Sequence, residues 1–414
     1  MVLNEIIKYL PEVKKPLEKK VSFNTKLKWT LIILAAYFIL YNIPLYGLST
    51  NALARFEFLQ IILATEFGSL ISLGIGPIVT ASIILQLLVG SGILGIDTKT
   101  PEGRKLFQGI QKVGVLFFIV FESIVFVLMR GLEAAPSFTG IVIFQLILGG
   151  LAIMYMDEVT QKWGFGSGIS LFILSGVALQ LFTALFGFVG AEGSNCLINF
   201  GQAGNSCVGR VLVIIQSITT GDPTGLSLAV AAILVTIVIF LVIVWAQSLK
   251  VEIPLSYDRL RGYGIKWPLS FFYASVIPVI LVSALAANLQ LFASLLENWL
   301  RRPTFLGSFS NGTPTSGIVF WLSSSDLVNA AITKSLTSTI LLQGAIHLVF
   351  YMLFAVVFSV FWVKTTGMDA AGQARNILGS GLQIPGFRKD ERVLESILSR
   401  YIMPLTVMGG LAIG

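Results

Sequence analysis

The stretch Ile71-Ser72-Leu73-Gly74-Ile75-Gly76-Pro77-Ile78-Val79-Thr80 opens an apolar segment, residues 71–94, of membrane-spanning length that is broken near its start. Gly74, Gly76 and Pro77 weaken a helix at the point where a spanning one should begin. Residues 52–64, just ahead of it, are apolar but fall short of the roughly 20 residues a spanning helix needs. Such a short piece reads as re-entrant or interfacial. Broken backbone at membrane depth persists only where protein buries it or water reaches it. The pair therefore predicts a water-accessible cavity beside the second span, and function is expected there.

Composition agrees with a membrane class. Of 414 residues, 55% are hydrophobic and 12% charged, and the mean hydropathy is +0.86. Apolar runs of spanning length occur near 29–48, 71–94, 113–131, 138–156, 165–189, 226–247, 269–292 and 344–363. A ninth starts at Tyr401 and stops after 14 residues, too few to span at 1.5 Å per residue, so the chain is expected to be an incomplete version of a longer one. Placing the N-terminus in the cytoplasm puts 22 of the 28 lysines and arginines inside, as the positive-inside rule requires. Only Arg55, Arg130, Arg210, Arg301, Arg302 and Lys334 then lie outside. Residues 1–28 lack the apolar core of a cleavable signal peptide. The apolar stripe at positions 2, 3, 6, 7 and 10 predicts a short helix on the inner membrane surface, ended by Pro11.

The long loops sort by side. Residues 188–225 and 293–343 are outside and rich in small polar residues, while 249–268 and 364–400 are inside and charged. Cys196 and Cys207, the only cysteines, share the first outside loop. An even pair in an oxidising compartment suggests a disulfide, with two free thiols as the other reading. Halving the chain after the fifth span sets the break at Gly74–Pro77 against Ile277-Pro278 in the seventh. Matching breakers in two halves point to inverted repeats around a central pathway.

Enzyme signatures are missing from the sequence. His347 is the lone histidine, and no nucleophile elbow, Walker loop or metal-ligand spacing occurs. No cofactor is expected. One acid, Glu122, lies deep in an apolar run, where a carboxylate is costly and faces a cavity or a polar partner. It reads either as the coupling site of a secondary transporter of a small solute, or as part of a hydrogen-bonded seam with Thr80 and Asn288. Ile75 and Val79 share a helix face at i, i+4, as do Ile169 and Ile173, and Ile280 follows Pro278. They read as ordinary core or lipid-facing residues, or, if they meet on one axis, as a constriction that closes by dewetting.

Residues 73–88 resemble the second-helix signature of the SecY family, the large subunit of the protein-conducting translocation channel. MetAspGluValThrGlnLysTrpGlyPheGlySerGlyIleSerLeuPheIle at 156–173 resembles its second signature. ProGluGlyArgLysLeuPheGlnGly, LysValGluIleProLeu and TyrAlaSerValIleProValIle are similar to neighbouring segments, most of all in the archaeal branch. The resemblance implies an all-α polytopic protein of two pseudo-symmetric inverted halves around an hourglass pore. Residues 1–188 would form the N-terminal half, 189–225 an external loop, and 226–414 the C-terminal half, without the family's last span. It also implies a pore ring of Ile75, Val79, Ile169, Ile173 and Ile280. A plug over about 53–65 would include Phe56, Phe58, Leu59, Ile61, Ile62 and Leu63. A lateral gate would be held by Thr80, Glu122 and Asn288. Unfolded secretory chains would cross, and membrane spans would leave sideways into lipid. The implied partners are a small single-span SecE/gamma-type subunit, a small SecG/beta-type subunit, signal peptides, nascent chains and the lipid bilayer. The ribosome would dock through its RNA on Arg259, Arg261 and Arg388. The implied location is the cell membrane.

Overall fold

The computed structural model describes residues 10–17, 21–51, 53, 60, 63–96, 100–188, 196, 207–257, 264–310, 312–380, 382–383 and 390–414. The chain runs α1 (Phe23–Asn42), β1 (Leu48–Asn51), α2 (Gly76–Gly90), α3 (Pro101–Leu128), β2 (Leu132–Ala134), α4 (Thr139–Trp163) and α5 (Gly168–Phe186). It continues through α6 (Arg210–Thr220), α7 (Pro223–Ser248), β3 (Lys250–Tyr257), β4 (Gly264–Ser270) and α8 (Ile277–Leu300). Next come β5 (Ser308–Ser310), β6 (Thr313–Ser316), α9 (Ile318–Leu322), α10 (Leu327–Ile332) and α11 (Ser338–Thr365). The last elements are α12 (Ala370–Gly379), β7 (Leu382–Gln383) and α13 (Glu391–Ile413). Among the described residues, eight helices are long and apolar enough to cross a membrane.

Local chemistry explains where the helices begin. Thr100 Oγ1 accepts from Gly103 N at 3.0 Å and Pro101 follows it at the start of α3. Asp222 and Pro223 start α7 in the same way. The second apolar segment is shorter as a helix than the run of 71–94 suggests. Only Gly76–Gly90 is helical, because Pro77 is pre-set for a first turn and residues 70–75 form turns ahead of it. The seventh behaves alike: Pro278 opens α8 instead of kinking it. The ninth segment is longer than its apolar run. The amphipathic stretch before Tyr401 and the apolar stretch after it make one 23-residue helix, α13.

The fold is not purely helical. β1 pairs with β2, β5 with β6, and β3 with both β4 and β7. The β3–β4 hairpin occupies the loop expected at 249–268, where alternation puts Ile253 inward, with Leu269 buried on β4. These two belong to a small core with Tyr273, Val363, Ile377, Leu394 and Leu398. Tyr273 donates to the Met368 carbonyl, and burial pushes its phenol up to about 12.

The main core joins α1, α2, α3, α4, α8 and α11. α2 packs directly against both α8 and α11, so the two helices that follow the breaks lie side by side. α5 and α7 bury little of themselves within the chain and present broad apolar faces outward. An extended strap crosses α3 and the end of α4. Lys112 reaches the Pro11 carbonyl, Glu158 accepts from Val13 N, and Lys162 bridges Glu12 and Glu158. The Lys162 ammonium holds the Glu12 carboxyl below its usual range.

The non-helical stretch before α2 leans on the backbone of α4. A Cβ on Gly149 would meet the Leu70 carbonyl oxygen at 1.8 Å. Gly149→Ala is expected to destabilise the protein by about 1–3 kcal/mol. Gly140→Ala, with nothing within 4 Å, is expected to leave stability unchanged. Thermal unfolding in detergent, compared across both variants, checks this.

Candidate functional site

The turns before α2 carry many polar backbone groups deep in the protein, and several of them meet nearby partners. Leu45 N donates to Gly68 O and Leu70 N to Ile43 O, both at 2.8 Å, and Pro44 bridges Ser69. This bridge closes the base of a loop that leaves after α1 and returns to α2. On the return, Leu63 O accepts from Ile75 N at 2.9 Å, Tyr37 Oη donates to Ala64 O at 2.9 Å, and Thr65 Oγ1 donates to Ile71 O. Gly74, at φ +53°, allows the approach, since a Cβ there would meet Leu63 O at 2.1 Å. Leu53, Gln60, Leu63, Ala64 and Thr65 are all buried.

Of the residues expected to form the plug, Leu63 is thus seated against the start of α2. Phe56, Phe58, Leu59, Ile61 and Ile62 lie outside the described residues. Among the expected ring residues, Ile75 and Val79 are buried in the main core, and Ile169 and Ile173 pack against it half-buried. Ile280 is half-buried on the first turn of α8.

Thr80, Glu122 and Asn288 come together from three helices. Asn288 Nδ2 donates to Thr80 Oγ1 at 2.9 Å. The Thr80 hydroxyl is shared between Gly76 O at 2.8 Å and Glu122 Oε1 at 3.3 Å. Glu122 is buried, and its other oxygen lies over Gly76. The carboxylate is thus engaged inside a seam between α2, α3 and α8, which leaves the transporter reading without support.

Asp157 was not anticipated. It is buried at the end of α4, where Oδ1 accepts from Ile169 N at 3.1 Å and Oδ2 from Gln161 at 2.8 Å. It therefore ties the start of α5, and an expected ring residue, to α4. The only hint in the sequence is an acid closing an apolar run. Elsewhere, the Cys196 and Cys207 sulfurs are joined, with Cα atoms 5.5 Å apart. His347 Nδ1 lies 2.7 Å from Leu322 O. Among the described residues no group of His, Cys, Asp and Glu could hold a metal. Arg259, Arg261 and Arg388 lie outside the described residues.

A bundle of spanning helices, with a break capped by a returning loop and a polar seam beside it, defines a polytopic membrane protein. The SecY family model matches residues 69–414, and a model described as the plug domain of Sec61p matches residues 36–68. The chain belongs to the SecY family. It is 41% identical over 410 residues to the protein translocase subunit SecY of Methanothermobacter thermautotrophicus, covering 98% of this chain and 86% of that one. It is 38% identical to the SecY subunit of Methanocaldococcus jannaschii over 99% of this chain and 87% of that one. Among solved structures, "The structure of a protein conducting channel" superposes with a TM-score of 0.81 at 38% identity, covering 99% of this chain and 88% of that one. "Sec61 in the Canine ribosome-channel complex from the endoplasmic reticulum" superposes with a TM-score of 0.77, also at 38% identity and over the same shares.

Asn288→Leu keeps the side chain's bulk and removes the donor to Thr80. The α2–α8 contact is expected to weaken by about 0.6–1.7 kcal/mol. Disulfide trapping between cysteines introduced on α2 and α8 should fall; undiminished trapping would show that the seam does not depend on this bond.

Proposed function

We propose that the chain is the large subunit of a protein-conducting channel, which passes unfolded polypeptides across a membrane and releases apolar segments sideways into lipid. The carrying observation is the loop base docked on the start of α2, with Leu63 O bonded to Ile75 N. Residues 53–65 act as the plug, and Ile75, Val79, Ile169, Ile173 and Ile280 as the constriction. β-branched side chains are stiff at χ1, so such a ring is narrow and apolar, with nothing to solvate an ion. Dispersion contacts are not sequence-specific, so the same ring seals around any peptide. Thr80, Glu122 and Asn288 set the threshold for lateral opening, because a few hydrogen bonds between spans are worth only about 0.6–2 kcal/mol each.

The halves divide as 1–188 and 226–414 across the external loop 189–225, which the Cys196–Cys207 disulfide closes. The N-terminus is cytoplasmic and the membrane is that of the cell, in keeping with the distribution of basic residues. The outward apolar faces of α5 and α7 suit lipid or the single spans of SecE/gamma-type and SecG/beta-type partners.

Ribosome docking is favoured by a pairing that the loops do not show separately. β3 pairs with β7 through Ser256–Gln383 and Tyr257–Leu382. Arg259 and Arg261 follow β3 in the sequence and Arg388 follows β7, so both loops are rooted on one sheet. The positive charge of these arginines suits the phosphates of ribosomal RNA.

In planar bilayers, Ile75→Gly, Ile169→Gly and Ile280→Gly combined are expected to raise ion leak by an order of magnitude or more. An unchanged leak would remove the ring from the mechanism. Arg259→Glu with Arg388→Glu is expected to weaken ribosome co-sedimentation about tenfold and flatten its salt dependence; binding indifferent to both changes and to salt would reject docking here.

A further inference from the structure

We infer that Tyr37 is a positioning residue that latches the returning base of the plug and couples it to α5; this rests on the channel reading above. Tyr37 is completely buried in α1 and contacts both the returning loop and α5. Its hydroxyl donates to the Ala64 carbonyl at 2.9 Å. Its ring stacks on Phe172 with centroids 4.9 Å apart and planes 16° from parallel. Phe172 is itself fully buried and lies in α5 next to Ile173. One side chain therefore touches both the plug's base and the helix that carries two constriction residues.

The point it grips is strained. Ala64 has φ +49°, a left-handed conformation that a residue with a Cβ seldom adopts. Its neighbours are held by other elements, Leu63 by Ile75 N and Thr65 by the Ile71 carbonyl. The Tyr37 hydroxyl bonds the carbonyl of the strained residue itself. A polypeptide that widens the constriction displaces α5 and pulls Phe172 from the stack. Tyr37 then withdraws, the buried Ala64 carbonyl loses its donor, and the strained residue can relax to release the base. The plug thereby responds to the width of the pore without being pushed directly.

The test uses the full chain in lipid vesicles and planar bilayers. Tyr37→Phe keeps the stack and deletes the bond, so resting ion conductance should rise about two- to tenfold, the equilibrium weight of one buried hydrogen bond. Phe172→Leu should act in the same direction, and the double variant should leak less than the product of the single effects. Adding Ala64→Gly to Tyr37→Phe should return the leak towards the unmodified level, because glycine relieves the strain of the closed state. A merely structural role for Tyr37 predicts independent effects of Tyr37→Phe and Phe172→Leu, so that the double variant leaks by the product of the single effects. Unchanged conductance in Tyr37→Phe, or no rescue by Ala64→Gly, overturns the latch. Polypeptide passage in the same vesicles separates two failures: no passage through the unmodified channel overturns the channel reading and the latch with it. Normal passage with an unaltered Tyr37→Phe leak overturns the latch alone.

Discussion

Every buried backbone donor or acceptor between α1 and α2 must find a partner inside the protein, and this requirement organises the rest of the molecule. Lipid offers no hydrogen bonds, so a broken span is tolerated only if neighbouring backbone replaces the lost helical partners. Here the replacement is the loop base itself. The 43–45 and 68–70 segments pair with each other, and Leu63 supplies the acceptor for Ile75 N. The returning segment therefore also satisfies the break beside it. Removing this loop base would leave polar groups bare, which favours the docked arrangement.

That constraint acts through small residues and close contacts. Gly74 and Gly149 bring three backbones together where any side chain would intrude. Asp157 and Tyr37 then carry the geometry to the next helices, one by holding the start of α5 and the other by joining α1 to Ala64 and Phe172. The seam between α2, α3 and α8 works differently. Its three polar side chains contribute modest bonds between helices from distant parts of the chain.

Much of the site was legible in the chain. The glycines and proline before Ile78, the buried Glu122 and the paired signatures at 73–88 and 156–173 point to a broken span, a polar seam and a known family. The β3–β4 hairpin was not legible, because its charged residues match a plain exposed loop and its inward pair, Ile253 and Leu269, is too sparse to stand out. The docking of β7 on β3 was hidden for a stronger reason: Leu382 and Gln383 are two residues pairing across more than a hundred positions. Tyr37 and Asp157 escaped because a tyrosine in a span and an acid at its end are ordinary until their partners are known.

Composition and hydropathy determined the membrane class, the rough places of most spans, and the place where one of them fails. These are properties of short windows, set by the transfer of side chains between water and lipid. Only the tertiary structure decided that α2 lies against α8, that Asn288 finds Thr80 from 208 positions away, and that Leu63 closes on Ile75. Each depends on which helix faces meet, and a periodic apolar pattern leaves that open because many pairings of helices bury similar apolar area.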